Sequence, residues 1–442
     1  MNVNTFFLLQ VYFESPANKM SSGSGHYRNA DKITGEQYSQ CETMRARIYV
    51  VTNFRSGDEC LNRFYRIFIL ITRVGSHKCC FSTADLPAYL STTPYSFGLQ
   101  RSWFHKIDRN GKLLRPTIGP TPGFSASADA ERLHRAMKGA GTDEDTLINI
   151  LARRTNHERQ EICASYESHY KKTLKEDIKS DTSGQFKTVL CELCLDAPYM
   201  LAKSLYYAMK GIGTNERVFI EVMCTLWNDE MKAVEAAYLQ DPKRTLLTDL
   251  TSETSGDFQY ALTLLAQAQR DDIPAIQLKA ISQNGVQSVV NKELADSDAK
   301  ELLAAGASKV GTNEKRISRI VCGRTPFQLA ADAEAYARLF GKSLLEDMNS
   351  ELSGDYRTLV LTLIRYATDR PGLIAEWLKD AMQGIGTRDY TVMRLLITRS
   401  EIDLEDVKEA YAKNYGQRLV DKVKNDTSGD YRRVLVKLLG EE

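Results

Sequence analysis

Met137-Lys138-Gly139-Ala140-Gly141-Thr142 is echoed three times further along the chain: Met209-Lys-Gly-Ile-Gly-Thr214, Ala307-Ser-Lys-Val-Gly-Thr312 and Met382-Gln-Gly-Ile-Gly-Thr387. With Gly141, Gly213, Gly311 and Gly386 as origins, a Tyr follows 25 residues on in every copy (Tyr166, Tyr238, Tyr336, Tyr411) and a Leu 33 on (Leu174, Leu246, Leu344, Leu419). A carboxylate follows 40 on (Asp181, Glu253, Glu351, Asp426), a Gly 43 on and an aromatic 45 on. The origins lie 72, 98 and 75 residues apart, so the unit is about 70 to 75 residues, with an insertion between the second and third copies.

The local signals inside each unit are helical. The loop Thr is placed to cap the helix that follows, and acidic residues in its first turn (Asp143, Glu144, Glu216, Glu314) suit the helix dipole. Asp/Glu-x-Ser-Gly sets Ser183, Ser255, Ser353 and Ser428 as caps or turn residues before another apolar run. Leu147, Ile150 and Leu151, like Val218, Val222 and Leu226, have the spacing of a buried helical stripe. The fold class expected is all-α, in repeats spanning 126–196, 197–268, 298–368 and 369–442. Residues 269–297 read as a long inter-repeat linker with a helical segment around Ala275 to Ile281, and the proline-rich stretch 117–125 reads as a linker. Residues 1–116 show strand-like scraps at Arg47 to Val51 and Ile67 to Thr72 without sustained periodicity, and are expected to be irregular or disordered. Asp108-Arg109-Asn110-Gly111 reads as an Asn-Gly turn, because the remaining ligands of a calcium loop are missing.

The 442 residues are almost neutral, with 58 Lys and Arg against 57 Asp and Glu, but the balance is uneven. Residues 1–116 carry 15 basic and 8 acidic side chains, leaving 43 against 49 in the remainder. An acidic main body argues against nucleic acid as a partner. It also argues against direct electrostatic docking on an anionic membrane. The nine cysteines are odd in number and scattered, which suits a reducing, cytoplasmic setting. Cys191 and Cys194 sit in an apolar helical pattern and read as core cysteines, and His77 with Cys79 and Cys80 is a weak metal candidate. No basic residue precedes the apolar run Phe6 to Phe13, so a secretory signal is not expected, and Ile67 to Ile71 is far too short to span a bilayer. No enzyme is expected either. Gly341-Lys342-Ser343 lacks the earlier glycine of a P-loop, and His157-Glu158 is followed by Glu161 where a zinc protease needs His.

Two glycines one residue apart allow successive carbonyl oxygens to converge on one point, and the acid 40 residues on can close the circle. Oxygen-only donors with a single carboxylate suit Ca²⁺ better than Mg²⁺ or Zn²⁺ and leave part of its shell of six to eight oxygens to water or a phosphate. Calcium and phosphate would then strengthen each other's binding, and several such sites would give a steep calcium dependence. Lys138, Lys210 and Lys309 stand beside the glycines, and Ala140, Ile212, Val310 and Ile385 at the loop tips suit the membrane interface.

On these motifs the region from about Phe124 to Gly440 resembles an annexin core. The resemblance implies four repeats of about five helices each in a curved disc, with peripheral, calcium-dependent binding to acidic phospholipids such as phosphatidylserine. It implies metal ligation by Met137, Gly139, Gly141 and Asp181, by Met209, Gly211, Gly213 and Glu253, and by Met382, Gly384, Gly386 and Asp426. The third repeat resembles a variant loop, with Gly306, Lys309, Gly311 and Glu351. Gln383 stands where the first and second loops have lysine, and Leu226-Trp227 where the other repeats have the arginines Arg154, Arg324 and Arg399. The chain is expected in the cytoplasm, at the membrane when calcium rises, and also at the cell surface by a non-classical route. A protein partner is expected at the N-terminal extension or at 269–297.

Overall fold

The computed structural model describes residues 106–139, 141–210, 213–238, 244–273, 277, 281, 283–306, 312–384 and 386–442, together with the backbone of three strands nearer the N-terminus. The chain divides into two units, Met1–Tyr95 and Ser96–Glu442. In the first, strands Leu8–Glu14, Met44–Ser56 and Glu59–Ile71 form an antiparallel sheet in sequence order, with Glu14 opposite Arg45 and Ser56 opposite Glu59. The strand-like stretches at Arg47 and Ile67 fall within the second and third strands. The rest of 1–105, including His77, Cys79 and Cys80, lies outside the described residues.

Twenty helices account for the four repeats. The first repeat holds Ala126–Ala136, Glu144–Leu151, Asn156–Tyr170, Leu174–Asp181 and Gly184–Leu193. The second holds Ala197–Met209, Glu216–Met223, Asn228–Tyr238, Leu246–Glu253 and Gly256–Ala266. The third holds Lys292–Gly306, Glu314–Gly323, Pro326–Phe340, Leu344–Glu351 and Gly354–Thr368, and the fourth Arg370–Ala381, Asp389–Arg399, Leu404–Tyr415, Leu419–Asp426 and Gly429–Leu438. The stretch read as a linker to 297 is thus already helical from Lys292. Of the segment expected around Ala275 to Ile281, only residues 277 and 281 are described, both helical. Helix starts are fixed locally: Thr155 with Glu158 and Thr173 with Glu176 form capping boxes, satisfying free amides reciprocally.

No repeat buries its own core alone. Apolar side chains of repeats one and four merge into one cluster, including Leu147, Ile150, Leu151, Leu378, Leu396 and Val434. Those of repeats two and three merge into another, including Leu205, Val222, Leu262, Leu302 and Leu359. Ion pairs join the two halves: Glu221 accepts from Arg394, and Arg217, which also donates to Glu221 on its own helix, reaches Asp380 at 3.2 Å.

Residues 106–122 correct the sequence reading, because they form a pinned strap and not an irregular tail and free linker. Asp108 closes the expected turn by accepting from the amides of Asn110 and Lys112, with Gly111 at φ +80°. Arg115 donates to Asp406 from its backbone amide at 2.6 Å and from its guanidinium at 2.9 and 3.0 Å. Thr117 donates its hydroxyl to the Leu438 carbonyl at 2.6 Å and its amide to the Ser400 carbonyl at 2.8 Å. At the other end, Ile107 is fully buried in a small cluster with Trp227, Ile273, Ile281, Val286 and Phe327. The departures at Leu226-Trp227 and in the long linker are therefore one feature. In repeats one and three the arginine is paired, Arg154 with Asp129 at 2.6 Å and Arg324 with Asp298 at 2.5 Å. In repeat two apolar residues replace it, and Trp227 packs on linker and strap.

Candidate metal centre

Each repeated loop begins where a helix ends. Met137 and Met382 are C-cap residues and Met209 is the last residue of its helix, with all three side chains buried and their carbonyls at the helix terminus. Such carbonyls lack intrahelical partners and carry the negative end of the helix dipole, which favours a cation. The chain then turns through positive φ at Gly139 (+111°) and Gly141 (+93°), and again at Gly384 (+94°) and Gly386 (+88°). A Cβ at these positions would meet nothing within 4 Å, so the backbone conformation, and not a lack of space, requires glycine.

One backbone hydrogen bond closes every loop. Asp143 donates to the Ala136 carbonyl at 2.8 Å, Asn215 to Ala208 at 2.9 Å and Arg388 to Ala381 at 2.9 Å, each across seven residues. In the third repeat Asn313 donates to Ala305 at 2.9 Å across eight residues, so that loop carries one extra residue, the physical content of its variant pattern. Of the expected site residues, Gly211, Lys309 and Gly311 lie outside the described residues, as do Ala140, Ile212, Val310 and Ile385. Lys138 and Lys210 are described and exposed, Lys210 with its ammonium 5.6 and 5.8 Å from the rings of Tyr206 and Tyr207.

The acid 40 residues on is the last residue of the fourth helix in all four repeats. In repeats one, two and four it is brought to the loop by the loop threonine, which corrects the capping role expected from the sequence. The hydroxyls of Thr142, Thr214 and Thr387 donate to the backbone carbonyls of Asp181 (3.2 Å), Glu253 (3.4 Å) and Asp426 (3.3 Å). Capping falls to the next residue: Asp143 accepts from the Thr146 amide at 3.0 Å and Asn313 from the Arg316 amide at 3.1 Å. In the third repeat a Cβ built on Gly306 would lie 3.7 Å from Cγ of Glu351, placing that acid against the helix end. Glu253 and Glu351 are exposed, and Asp181 and Asp426 are half-buried.

A residue set missed in the sequence supports these acids. Four positions before the acid in repeats one to three lies Asp177, Asp249 or Asp347, accepting from the repeated tyrosine: Tyr166 at 2.5 Å, Tyr238, and Tyr336 at 2.7 Å. Burial, reinforced by these carboxylates, pushes the three phenols above their ordinary range. The Tyr-to-Asp spacing of eleven residues, present three times, was the available signal. Among the described residues no three His, Cys, Asp or Glu side chains converge on a point. In repeats one, two and four the threonine bonds set the backbone of the acid beside the loop, and carbonyl oxygens with one carboxylate are donors that suit a hard, geometrically tolerant cation.

A family model described as Annexin matches residues 128–193, 200–265, 297–363 and 374–438, the four repeats in turn. The chain belongs to the annexin family. Annexin B22 of Schistosoma mansoni is 62% identical over 353 residues, covering 78% of this chain and 97% of that one. Annexin A3 of Mus musculus is 40% identical over 328 residues, covering 74% and 97%. Among solved structures, a calcium-bound annexin (Sm)1 aligns with TM-score 0.74 and 61% identity over 78% of this chain and 98% of its own. This annexin shares with them the repeat core from the first helix to the last. Residues 1–127 precede the family-model match.

Proposed function

We propose that this annexin attaches reversibly and peripherally to anionic membranes through calcium ions that bridge its loops to lipid phosphates. The observation that carries the reading is the recurrence of one juxtaposition: a helix-end carbonyl, a positive-φ glycine turn and an acidic residue whose backbone carbonyl is held to that turn by the loop threonine. The calcium-bound state of a structure 61% identical over the same core supports Ca²⁺ as the ion. Met137, Gly139, Gly141 and Asp181 would hold it in the first repeat, with the corresponding sets, including Gly211, Gly213, Glu253, Gly306, Lys309, Gly311, Glu351, Gly384, Gly386 and Asp426, in the others. When bound, the ion supplies open coordination positions that a phosphate oxygen completes; the chain's own residues orient the carbonyls and hold the carboxylate. Sites of modest individual affinity act together by effective concentration, so membrane attachment is steep in calcium. Among the described residues no helix is long and apolar enough to cross a membrane.

The protein would work from the cytoplasm in membrane organisation, trafficking or repair, with the N-terminal unit or the strap and linker available to a protein partner. The test is co-sedimentation with phosphatidylserine or phosphatidylcholine vesicles, with calcium or chelator, comparing the natural sequence with Asp181→Asn, Glu253→Gln, Glu351→Gln and Asp426→Asn combined. Chelator-reversible pelleting with the acidic vesicles, lost in the combined variant, is expected. Equal pelleting of both proteins without calcium would overturn the reading.

A further inference from the structure

The fourth site differs from the other three at one position. Four residues before the acid, on the same face of the same helix, repeats one to three carry Asp177, Asp249 and Asp347, whereas repeat four carries Lys422. The lysine ammonium sits 2.9 Å from Oδ1 of Asp426, the candidate ligand itself. In the first repeat the corresponding oxygen of Asp181 accepts a 2.7 Å hydrogen bond from the neutral hydroxyl of Ser180, which leaves the carboxylate's charge for a cation. Tyr411, where the other repeats have a tyrosine donating to Asp, has Lys422 in place of that acceptor. The side chain one turn before the ligand is thus a carboxylate paired with Lys172, Arg244 or Lys342 in three repeats, and an ammonium seated on the ligand itself in the fourth.

We infer that Lys422 sets the calcium sensitivity of the fourth repeat, making its site the weakest and the last to load. The inference rests on the calcium-bridging reading and adds an order to it. Calcium reaching Asp426 must displace the ammonium from the carboxylate and tolerate its nearness afterwards. Among the described residues no lysine or arginine is paired with Asp181, Glu253 or Glu351 in repeats one to three, where the side chain one turn before each acid is itself a carboxylate. Attachment is therefore graded. The first three repeats hold the membrane at lower calcium, and the fourth joins only when calcium rises further. Gln383, in place of the loop lysine, removes a headgroup contact from the same repeat and deepens its lag. A unit charge about 5 Å from a divalent ion in water-like surroundings weakens binding roughly tenfold, and the lysine's freedom to swing away reduces this to about three- to tenfold.

The experiment uses the full chain with Asp181→Asn, Glu253→Gln and Glu351→Gln, which isolates the fourth site, and follows Ca²⁺ binding by calorimetry and by Tb³⁺ luminescence without lipid. In that background Lys422→Gln is expected to move the calcium midpoint three- to tenfold lower, and Lys422→Asp lower still. Lys422→Arg, which keeps the charge, should leave the midpoint high, and the Gln-versus-Lys difference should shrink as salt is raised. Coincident midpoints for Lys and Gln, or tightening by Arg as well, would overturn the role assigned to the charge. Folding of each variant is checked by thermal melting, and Lys422→Met replaces Gln if that variant melts early. If the chain with all four acids intact binds no calcium at all, it is the bridging reading that fails; if it does bind and Lys422 proves indifferent, only the order of loading falls.

Discussion

Replacing Ile107 by alanine should loosen the strap without unfolding the repeats. Ile107 is fully buried against Trp227, Ile273, Ile281, Val286 and Phe327, and is the strap's apolar anchor on the second and third repeats. A buried Ile→Ala change costs about 2–5 kcal/mol where the site cannot relax. Here the loss is bounded, because the strap can lift from that cluster while its other anchors hold: the two-pronged Arg115 contact to Asp406 and the Thr117 bonds to Ser400 and Leu438. A charge-assisted hydrogen bond contributes about 1.5–3 kcal/mol net when buried, and less at the half-exposed guanidinium of Arg115. The expected outcome is a fall in overall stability of about 1–2 kcal/mol, below the ordinary large-to-small penalty. Limited proteolysis read by mass spectrometry should show new cleavage within 106–114, and Arg115→Ala added to it should extend cleavage toward Pro122. Denaturant melts give the first quantity. A loss as large as that of Leu133→Ala in the repeat core, with no new cleavage in the strap, would refute the view that the strap is a separable clasp.

Lys171 adopts φ +58° at the end of its helix, where the third and fourth repeats place Gly341 and Gly416 at φ +66°. Lys171→Gly should raise stability by about 0.5–1 kcal/mol, the relief of left-handed strain exceeding the added chain entropy, as a calorimetric melt can measure. Removing the loop hydroxyl by Thr142→Val should raise the calcium midpoint of the first site by a few-fold while changing the melting temperature little, since one half-buried hydrogen bond contributes only about 1 kcal/mol. Asp332 is buried, and its pKa is pushed up to about 8 chiefly by that burial. Its folded state holds a proton that the unfolded chain releases near the ordinary carboxylate value. Stability from this group is therefore full in acid and declines as pH rises toward 8. Urea melts at pH 5, 6.5 and 8 should show this decline, and Asp332→Asn should flatten it.

The loops and their acids were legible because both are local. Glycine at positive φ, a helix-ending methionine and an acid at a fixed register are properties of single segments, and fourfold repetition separates them from chance. The threonine's true partner was not legible, because a hydroxyl next to a helix start has a local option, capping, and a distant one, the acid's carbonyl 39 residues away; only the fold brings the second within 3.2–3.4 Å. The strap was hidden for the same reason. Ile107, Leu114 and Ile118 have no period, and their burial comes from partners as far as 321 residues away, as in the Thr117 bond to Leu438.

The sequence by itself determined the all-α repeat, its four copies, and the register of the glycine turns and of the acid that follows them, since short-range backbone preference and side-chain type decide those. The tertiary structure alone decided which repeats share a core, that Trp227 joins linker to strap, and that Lys422 sits on Asp426 while three aspartates elsewhere accept from tyrosine. Those outcomes depend on which surfaces meet in space, and burial and charge act through distance, which the order of residues does not fix.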